Sequence, residues 1–212
     1  MNYKQIGINT YKKFSEVEGN QYIAGDYALE KILKLVSVFK MKNILEIGLG
    51  IGSISDAILT FSKQNNVPVN YSGTESNDFC LKTLPNNVLH FNEIKLYNSV
   101  EFLPHNEIYE FVIVDGSDES LKQIKKHCTK NAVIFIEGGR ASQVAELRAI
   151  FPNYKYAEII SMRKPPIYGP FHQPWTGGGS VIFIEPTLFQ TIFVFKEKVK
   201  TFLKRRLRKF IK

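Results

Sequence analysis

Cysteine is scarce in this sequence, because its 212 residues include only Cys80 and Cys128. The two lie far apart, with neither a CxxC spacing nor a metal-ligand spacing. We therefore expect reduced thiols, and neither a disulfide framework nor a zinc site. Such cysteine usage favours a cytoplasmic protein.

The sequence also lacks a long apolar run. No uninterrupted stretch is long enough to span a bilayer. Residues 1–14 are polar and tyrosine-rich, without the apolar segment of a secretory signal peptide. With a hydrophobic content of 44%, we expect a cytoplasmic globular protein with one substantial core.

An acidic excess is missing as well, and the positive charge is concentrated at one end. Residues 196–212 contain nine lysines and arginines and one glutamate, which accounts for the whole chain's net charge of +8. The rest of the chain is neutral, so any attraction to polyanions is predicted to come from this segment.

The most informative motif lies at residues 43–53. Ile44, Leu45 and Ile47 form a short apolar run, and the glycines that follow allow the backbone to turn tightly and approach a ligand. Because position 53 is serine, the G-x-G-x-x-G dinucleotide fingerprint lacks its third glycine. The Gly-Lys-Ser/Thr ending of a Walker A loop is absent too.

The pattern that remains, Glu46-x-Gly48-x-Gly50-x-Gly52, resembles the first motif of class I S-adenosylmethionine-dependent methyltransferases. The resemblance implies an α/β, Rossmann-like fold, with the three glycines beneath the methionine and ribose parts of the cofactor. The charges agree with it. This cofactor carries a sulfonium and an ammonium and no phosphate, so the Glu46 carboxylate beside the loop attracts it.

The order of predicted elements supports the same fold. We predict helices over Tyr27–Phe39 (with Asp26 as N-cap), Ile54–Gln64, Glu119–Cys128 and Ser142–Phe151, and strands over 43–47, Val69–Thr74, Val88–Ile94, Phe111–Val114, Ala132–Ile136, Tyr156–Met162 and Val181–Ile184. The alternation indicates a mostly parallel sheet with right-handed crossovers, and the last two strands indicate an antiparallel hairpin at its edge. The predicted organisation is an N-terminal arm (1–21), a methyltransferase domain (22–186) and a basic amphipathic C-terminal helix (187–212).

Ligands of open α/β sheets bind beyond the carboxyl ends of the strands. The resemblance implies that Glu75 accepts hydrogen bonds from the ribose hydroxyls, that Tyr97 and Asn98 contact the adenine, and that Asp115 lies beside the methyl donor. Asp115 and Glu137 follow the fourth and fifth predicted strands. Both are predicted to orient or deprotonate the acceptor.

The segment Val114-Asp115-Gly116-Ser117-Asp118 is similar to a loop of small-molecule O-methyltransferases. Several of those enzymes bind a divalent metal through this Asp and a carboxylate pair after the fifth strand. Here Glu137 is followed by two glycines, so an ion would find only Asp115, Asp118 and Glu137. The missing pair argues against a metal, and no metal ligands are predicted.

Residues 164–179 form a second unusual segment, with four prolines, four glycines, three aromatic residues and the only tryptophan. Such a composition is typical of a lid or an acceptor-binding loop rather than of a linker. His172 lies in this loop. It is a predicted general base, because deprotonation of an acceptor hydroxyl needs a group that titrates near neutrality.

The C-terminal segment has one apolar face at helical spacing, with most basic residues on the other side: Leu188, Ile192, Phe195, Val199, Phe202, Leu203, Leu207 and Phe210 form the apolar stripe. A basic amphipathic helix rich in phenylalanine is typical of an anchor in the plane of an anionic membrane surface. Two alternatives stay open. The stripe packs on the core or on a second subunit, or the segment binds nucleic acid, which a continuous apolar stripe does not favour.

Together these observations predict S-adenosylmethionine-dependent methyl transfer to a small or membrane-associated acceptor, a hydroxyl of a sugar or glycolipid, in the cytoplasm or at the inner face of a membrane. One alternative is a binding protein that keeps the cofactor fold without the chemistry, which the missing carboxylate pair favours. The other is an RNA methyltransferase that uses the basic tail.

Overall fold

The computed structural model describes residues 2–211 and contains a seven-stranded sheet in the order β3-β2-β1-β4-β5-β7-β6. The strands are β1 (Asn43–Ile47), β2 (Asn70–Thr74), β3 (Ile94–Tyr97), β4 (Tyr109–Val114), β5 (Cys128–Glu137), β6 (Tyr154–Ile159) and β7 (Gly179–Ile184). The first five pair in parallel, and β7 pairs antiparallel with both β5 and β6. The predicted parallel sheet with an antiparallel edge hairpin is confirmed.

Six α-helices accompany the strands of the described chain: α1 (Tyr3–Ser15), α2 (Asp26–Val38), α3 (Ser53–Asn65), α4 (Asp78–Asn87), α5 (Ala141–Ile150) and α6 (Leu188–Phe210). The central strands are apolar on both faces, because helices cover both. Ile44 and Phe111 face a core with α1, α2 and α3, whereas Leu45 and Val112 face a core with α5.

The N-terminal segment, predicted as an arm, contains α1. Tyr11 and Phe14 are buried in the core, and the helix packs on α2 and α3. Its buried side mixes Ile6 and these two aromatic residues with glycine, threonine and serine. The apolar period was therefore too weak to predict this helix from sequence.

Two predictions about helix and strand boundaries were wrong. Asp26 does not cap α2. It is the first helical residue, after Gly25, and its carboxylate instead accepts a hydrogen bond from the Thr176 hydroxyl (2.8 Å) and pairs with Arg163 (3.3 Å). The third strand does not cover Val88–Ile94, because α4 ends at Asn87, a 3₁₀ turn occupies Phe91–Glu93, and β3 only begins at Ile94.

Other predicted elements are displaced or change type. The helix predicted over Glu119–Cys128 is a 3₁₀ segment at Leu121–His127, and Cys128 already belongs to β5. The strand predicted to reach Met162 ends at Ile159. Helices α3 and α5 agree with their predictions to within one residue.

Gly52 precedes α3 with a φ of 97°, in the left-handed region. A Cβ at this position would overlap the side chains of Val88 and Leu84. Gly138 also has a positive φ, 71°, but a Cβ there would meet no atom within 4 Å. Substituting alanine at Gly138 would therefore introduce backbone strain alone, whereas substituting it at Gly52 would introduce strain and a steric clash.

We expect Gly52→Ala to lower the free energy of unfolding by about 3 kcal/mol, because strain and overpacking add. Gly138→Ala is the matched control and should cost only about 1 kcal/mol, the strain alone. Urea unfolding of both variants measures the difference. Equal losses would show that α3 and α4 can separate to admit a methyl group.

Candidate functional site

The candidate site lies at the carboxyl ends of the parallel strands. Strand β1 is flanked by β2 on one side and β4 on the other, so the crossovers leave it in opposite directions. This is the topological switch point at which open α/β sheets bind ligands. Gly48, Glu75, Asp115 and Glu137 stand at the ends of β1, β2, β4 and β5.

The glycine loop after β1 is held by hydrogen bonds to the end of β2. The Gly48 amide donates to the Thr74 carbonyl (3.1 Å), and the Gly50 amide donates to Oε2 of Glu75 (2.7 Å). A Cβ at Gly50 would meet no atom within 4 Å, so this backbone borders open space. Gly52, in contrast, packs against Val88. The motif thus combines one glycine for ligand approach and one for helix packing.

Glu75 organises the next part of the site. Its second oxygen, Oε1, accepts hydrogen bonds from the amides of Ser76 and Asn77, both at 2.8 Å. The backbone carbonyl of Tyr97 accepts from the Glu75 amide (2.9 Å), whereas the Tyr97 hydroxyl donates to Glu107 (3.2 Å). Asn98 lines the same cavity as Glu75. The structure thus brings Asn98 and Glu75 together, and the Tyr97 ring is held by Glu107.

Two cavities adjoin the glycine loop. One, of about 600 Å³, is lined by Gly48, Glu75 and Asn98 together with the loop after β4. The other, of about 230 Å³, is lined by Gly50, Phe79 and Asp115. With the loop between them, the two cavities form a cradle suited to an elongated ligand.

Glu46 is fully buried, with 0% of its surface exposed. Its Oε2 accepts a hydrogen bond from the Tyr71 hydroxyl (2.5 Å), and its Oε1 has no hydrogen-bond partner among the described residues. Burial raises the pKa of Glu46 to about 8, and the charge of Glu75 adds to the rise. A buried carboxylate with an unpartnered oxygen is costly, so the protonated form of Glu46 is favoured at this position.

Two further carboxyl groups share this environment. Burial raises the pKa of Asp115 well above its usual value, with Glu137 and Glu46 contributing, and Arg140, whose guanidinium donates to Asp115 (3.1 Å), opposes the rise. Burial also raises the pKa of Glu137 to about 7, while Arg140 and the Gly25 amide act in the opposite direction. The site is therefore a cluster of partly desolvated carboxyl groups, with Arg140 as the opposing cation.

Next to this cluster is a third cavity of about 560 Å³, whose lining includes Glu137 and Arg140. The loop predicted to bind the acceptor forms one wall through Trp175 and its neighbours, and Tyr22 contributes a second aromatic ring. Helix α6 supplies Arg205 and Arg208. The Arg208 guanidinium lies 5.0 Å from the centre of the Trp175 ring, and its Nε donates to the Ser161 carbonyl (3.0 Å).

His172 is not brought to this cavity. Its side chain is exposed. The neighbouring residues Phe171 and Gln173 line the cavity, but His172 does not. Its role as general base stays a prediction.

The Asp118 carboxylate is held by hydrogen bonds from backbone amides. It accepts from the amides of Val100 (2.9 Å) and Ser120 (2.8 Å). Between residues 2 and 211, no group of three or more metal-ligand side chains is placed to hold an ion.

Sequence reasoning missed Arg140 and the arginines of α6. Arg140 follows the fifth strand by three residues, and that position was a usable signal. Arg205 and Arg208 had no such signal, because they lie in a segment whose charges were assigned to a membrane face. Only the packing of α6 against the sheet brings them to the cavity.

Comparisons with known proteins agree with this geometry at the level of fold. No family model and no curated protein matches the sequence. Among solved structures, an O-methyltransferase from Bacillus cereus, described as a complex with SAH, has a TM-score of 0.58 and 11% identity over 85% of this chain and 90% of that one. The O-methyltransferase TomG from Streptomyces achromogenes, described as a complex with SAM, has a TM-score of 0.58 and 11% identity over 86% of this chain and 90% of that one.

A third similar structure acts on RNA. It is a tRNA methyltransferase, TrmI, from Aquifex aeolicus, with a TM-score of 0.58 and 20% identity over 82% of this chain and 74% of that one. The similar structures thus share a fold while their named substrates differ. The chain has the Rossmann-like fold of the class I methyltransferases.

Proposed function

We propose that this protein transfers the methyl group of S-adenosylmethionine to a hydroxyl group of a sugar or glycolipid. The observation that carries the proposal is the carboxyl cluster beside the glycine loop. Burial raises the pKa of Glu46, Asp115 and Glu137, and a ligand that brings positive charge would stabilise their ionised forms. The sulfonium and ammonium of S-adenosylmethionine supply that charge.

The residues present fit this cofactor. Gly50 opens onto free space and Glu75 fixes the loop, so Gly48, Gly50, Glu75 and Asn98 are the proposed contacts of the adenosine part. Asp115 lines the smaller cavity, which we assign to the charged part. Glu46 is fully buried behind it and would act on the cofactor through its charge. The solved structures described as SAH and SAM complexes support the same assignment.

The chain's contribution to the chemistry is alignment and proton transfer. S-adenosylmethionine supplies an activated methyl group, so holding the acceptor in line with it accounts for most of the rate. Glu137 borders the acceptor cavity, and its pKa of about 7 suits a group that accepts the acceptor's hydroxyl proton. We assign Asp115, which accepts a hydrogen bond from Arg140, to orienting the acceptor beside the donor.

The cavity also indicates the class of acceptor. Its walls combine the aromatic rings of Tyr22 and Trp175 with carboxylates and guanidinium groups, including Glu158 and Arg205. Rings stack on the apolar faces of sugars, and the charged groups accept from and donate to sugar hydroxyls. A volume of about 560 Å³ lies in the range of small-molecule sites.

The first test is donor binding. Isothermal titration calorimetry with S-adenosylmethionine should show binding, and Glu75→Ala should weaken it by at least about tenfold, because charge-assisted hydrogen bonds are lost and the loop is released. Glu93→Ala is the control, since Glu93 is also a carboxylate near β3 but lies on the surface. Absence of binding, or equal affinities for the Glu75→Ala and Glu93→Ala variants, would contradict the cofactor assignment.

The second test is the pH dependence of binding. Without cofactor, Glu46 and Glu137 have pKa values of about 8 and about 7, so both are largely protonated near pH 6. A cationic ligand favours the ionised forms and expels these protons. Affinity should therefore rise with pH, by up to about tenfold per unit for each group, below about pH 7 for Glu137 and below about pH 8 for Glu46.

Glu46→Gln and Glu137→Gln should each flatten this dependence, and in the first variant the Tyr71 hydroxyl can still donate to the amide oxygen of the new side chain. S-adenosylhomocysteine lacks the sulfonium charge and should show a weaker pH dependence. An affinity for S-adenosylmethionine that falls with pH would contradict the proposed role of the cluster.

The third test is methyl transfer. Label from S-adenosylmethionine carrying a tritiated methyl group should enter a cell's sugar or glycolipid fraction, and Glu137→Gln should lower the rate by about a hundredfold through loss of the proton acceptor. His172→Ala, tested beside it, should keep the rate if Glu137 is the proton acceptor, whereas an equal loss in this variant would assign that role to His172. Label in the RNA fraction instead, or tight binding with no transfer to any fraction, would support the two alternative functions.

A further inference from the structure

Helix α6 packs on the protein through phenylalanines near its start, where Phe189 and Phe193 contact Phe39, and through polar residues in its later turns. Its buried residues are Gln190, Val194, Glu197 and Thr201, spaced by three or four positions. The Thr201 hydroxyl donates to the Glu158 carbonyl (2.5 Å), and the Lys204 ammonium donates to the Ile160 carbonyl (2.8 Å). The core therefore does not cover the apolar stripe predicted from sequence.

That apolar stripe is exposed to solvent. Phe195 is 67% exposed and Phe210 85% exposed, although burying such rings is strongly favourable. The exposed members extend from the first turn of α6 to the last: Leu188, Ile192, Phe195, Val199, Phe202, Leu203, Leu207 and Phe210. A continuous apolar surface of this kind marks a binding face.

Basic side chains stand on both flanks of the stripe. By helical spacing, Lys196 and Lys200 lie on one side and Lys198 and Lys209 on the other. All four are exposed. Lys200 pairs with Glu197 (2.6 Å), and within residues 2–211 no ion pair holds the other three. Arg206 lies among the apolar residues, with its guanidinium 4.6 Å from the centre of the Phe202 ring.

We propose that this face of α6 docks on an anionic lipid surface, with the helix in the plane of the membrane. Apolar rings flanked by cations match an interface that offers hydrocarbon beneath a layer of negative headgroups. No helix between residues 2 and 211 is long and apolar enough to cross a membrane, so the contact proposed is peripheral.

The charges distinguish this partner from a second copy of the chain. A symmetric contact through α6 would bring two segments together, each with nine basic residues and one acidic residue, and like charges would oppose it. A lipid surface buries the rings and neutralises the lysines at once. RNA would neutralise the lysines and leave the rings exposed.

The orientation of α6 on the membrane would also determine where the proposed acceptor cavity lies. Arg205 and Arg208 belong to α6 and line that cavity. By helical spacing these arginines lie on the side of α6 away from the apolar stripe. Docking of the helix would therefore hold the cavity about 10 Å, one helix diameter, from the membrane surface. The docking itself does not depend on the proposed methyl transfer, and it is tested without a methyl donor.

The experiment is co-sedimentation of the full chain with vesicles of equal parts phosphatidylglycerol and phosphatidylcholine, compared with phosphatidylcholine alone. We expect partition into the anionic vesicles to be at least about tenfold stronger and to weaken at high salt. The triple variant Phe195→Ser, Phe202→Ser, Phe210→Ser should lose it. The triple variant Lys196→Gln, Lys198→Gln, Lys209→Gln should lose the preference for anionic lipid.

The matched control replaces three exposed apolar residues elsewhere, in Leu89→Ser, Ile108→Ser and Ile167→Ser, and should pellet as the unaltered protein does. All variants should keep the melting temperature, since the changed side chains are exposed. Equal pelleting of the phenylalanine variant and the control, or no pelleting of the unaltered protein, overturns the proposal. The proposal is also overturned if the protein forms a dimer that the phenylalanine variant dissociates. RNA binding that is lost in the lysine variant and kept in the phenylalanine variant would overturn it too.

Discussion

The burial of carboxyl groups at the carboxyl edge of the sheet is the constraint on which the site depends. Glu46 lies on the central strand β1, with strands on both sides and 0% exposure. Ionising it there is unfavourable, and Tyr71 satisfies one oxygen only. Burying these carboxyl groups therefore costs folding free energy, and positive charge in the cradle would lower that cost. Binding of a cationic ligand is in this way coupled to the stability of the sheet.

Strand register explains why the carboxyl groups converge. Ile47 of β1 pairs with Thr74 of β2 and with Val114 of β4, and Val114 pairs with Ile136 of β5. These strands thus end at one level. Asp115 and Glu137, at the ends of the adjacent strands β4 and β5, therefore stand side by side. Arg140 enters from the turn after β5 to limit their repulsion.

The sheet was predictable from sequence because short apolar runs and the glycine-rich segments that end them are local signals. Once the strands are predicted, the residues at their carboxyl ends are identified as well. Helix α1 was not predictable, because its buried face is half polar. Val88 suggested a strand but packs on Gly52 at the end of α4. The cavity proposed for the acceptor was predictable only in part. Its proline- and glycine-rich loop could be recognised in the sequence, whereas Arg208 contacts Trp175 through packing between segments distant in sequence.

The reversed polarity of α6 has its origin in the sheet. Strand β6 is an edge strand, and such edges need their backbone groups covered. The side chains of Thr201, Lys204 and Arg208 cover carbonyls in and just after β6. Polar residues thus occupy that side in the later turns of the helix, where Phe202 and Phe210 face outward. Phe189 and Phe193, near its start, instead pack on Phe39. The same packing places Arg205 and Arg208 at the cavity proposed for the acceptor, so one helix protects the sheet edge, lines that cavity and presents an apolar surface away from it.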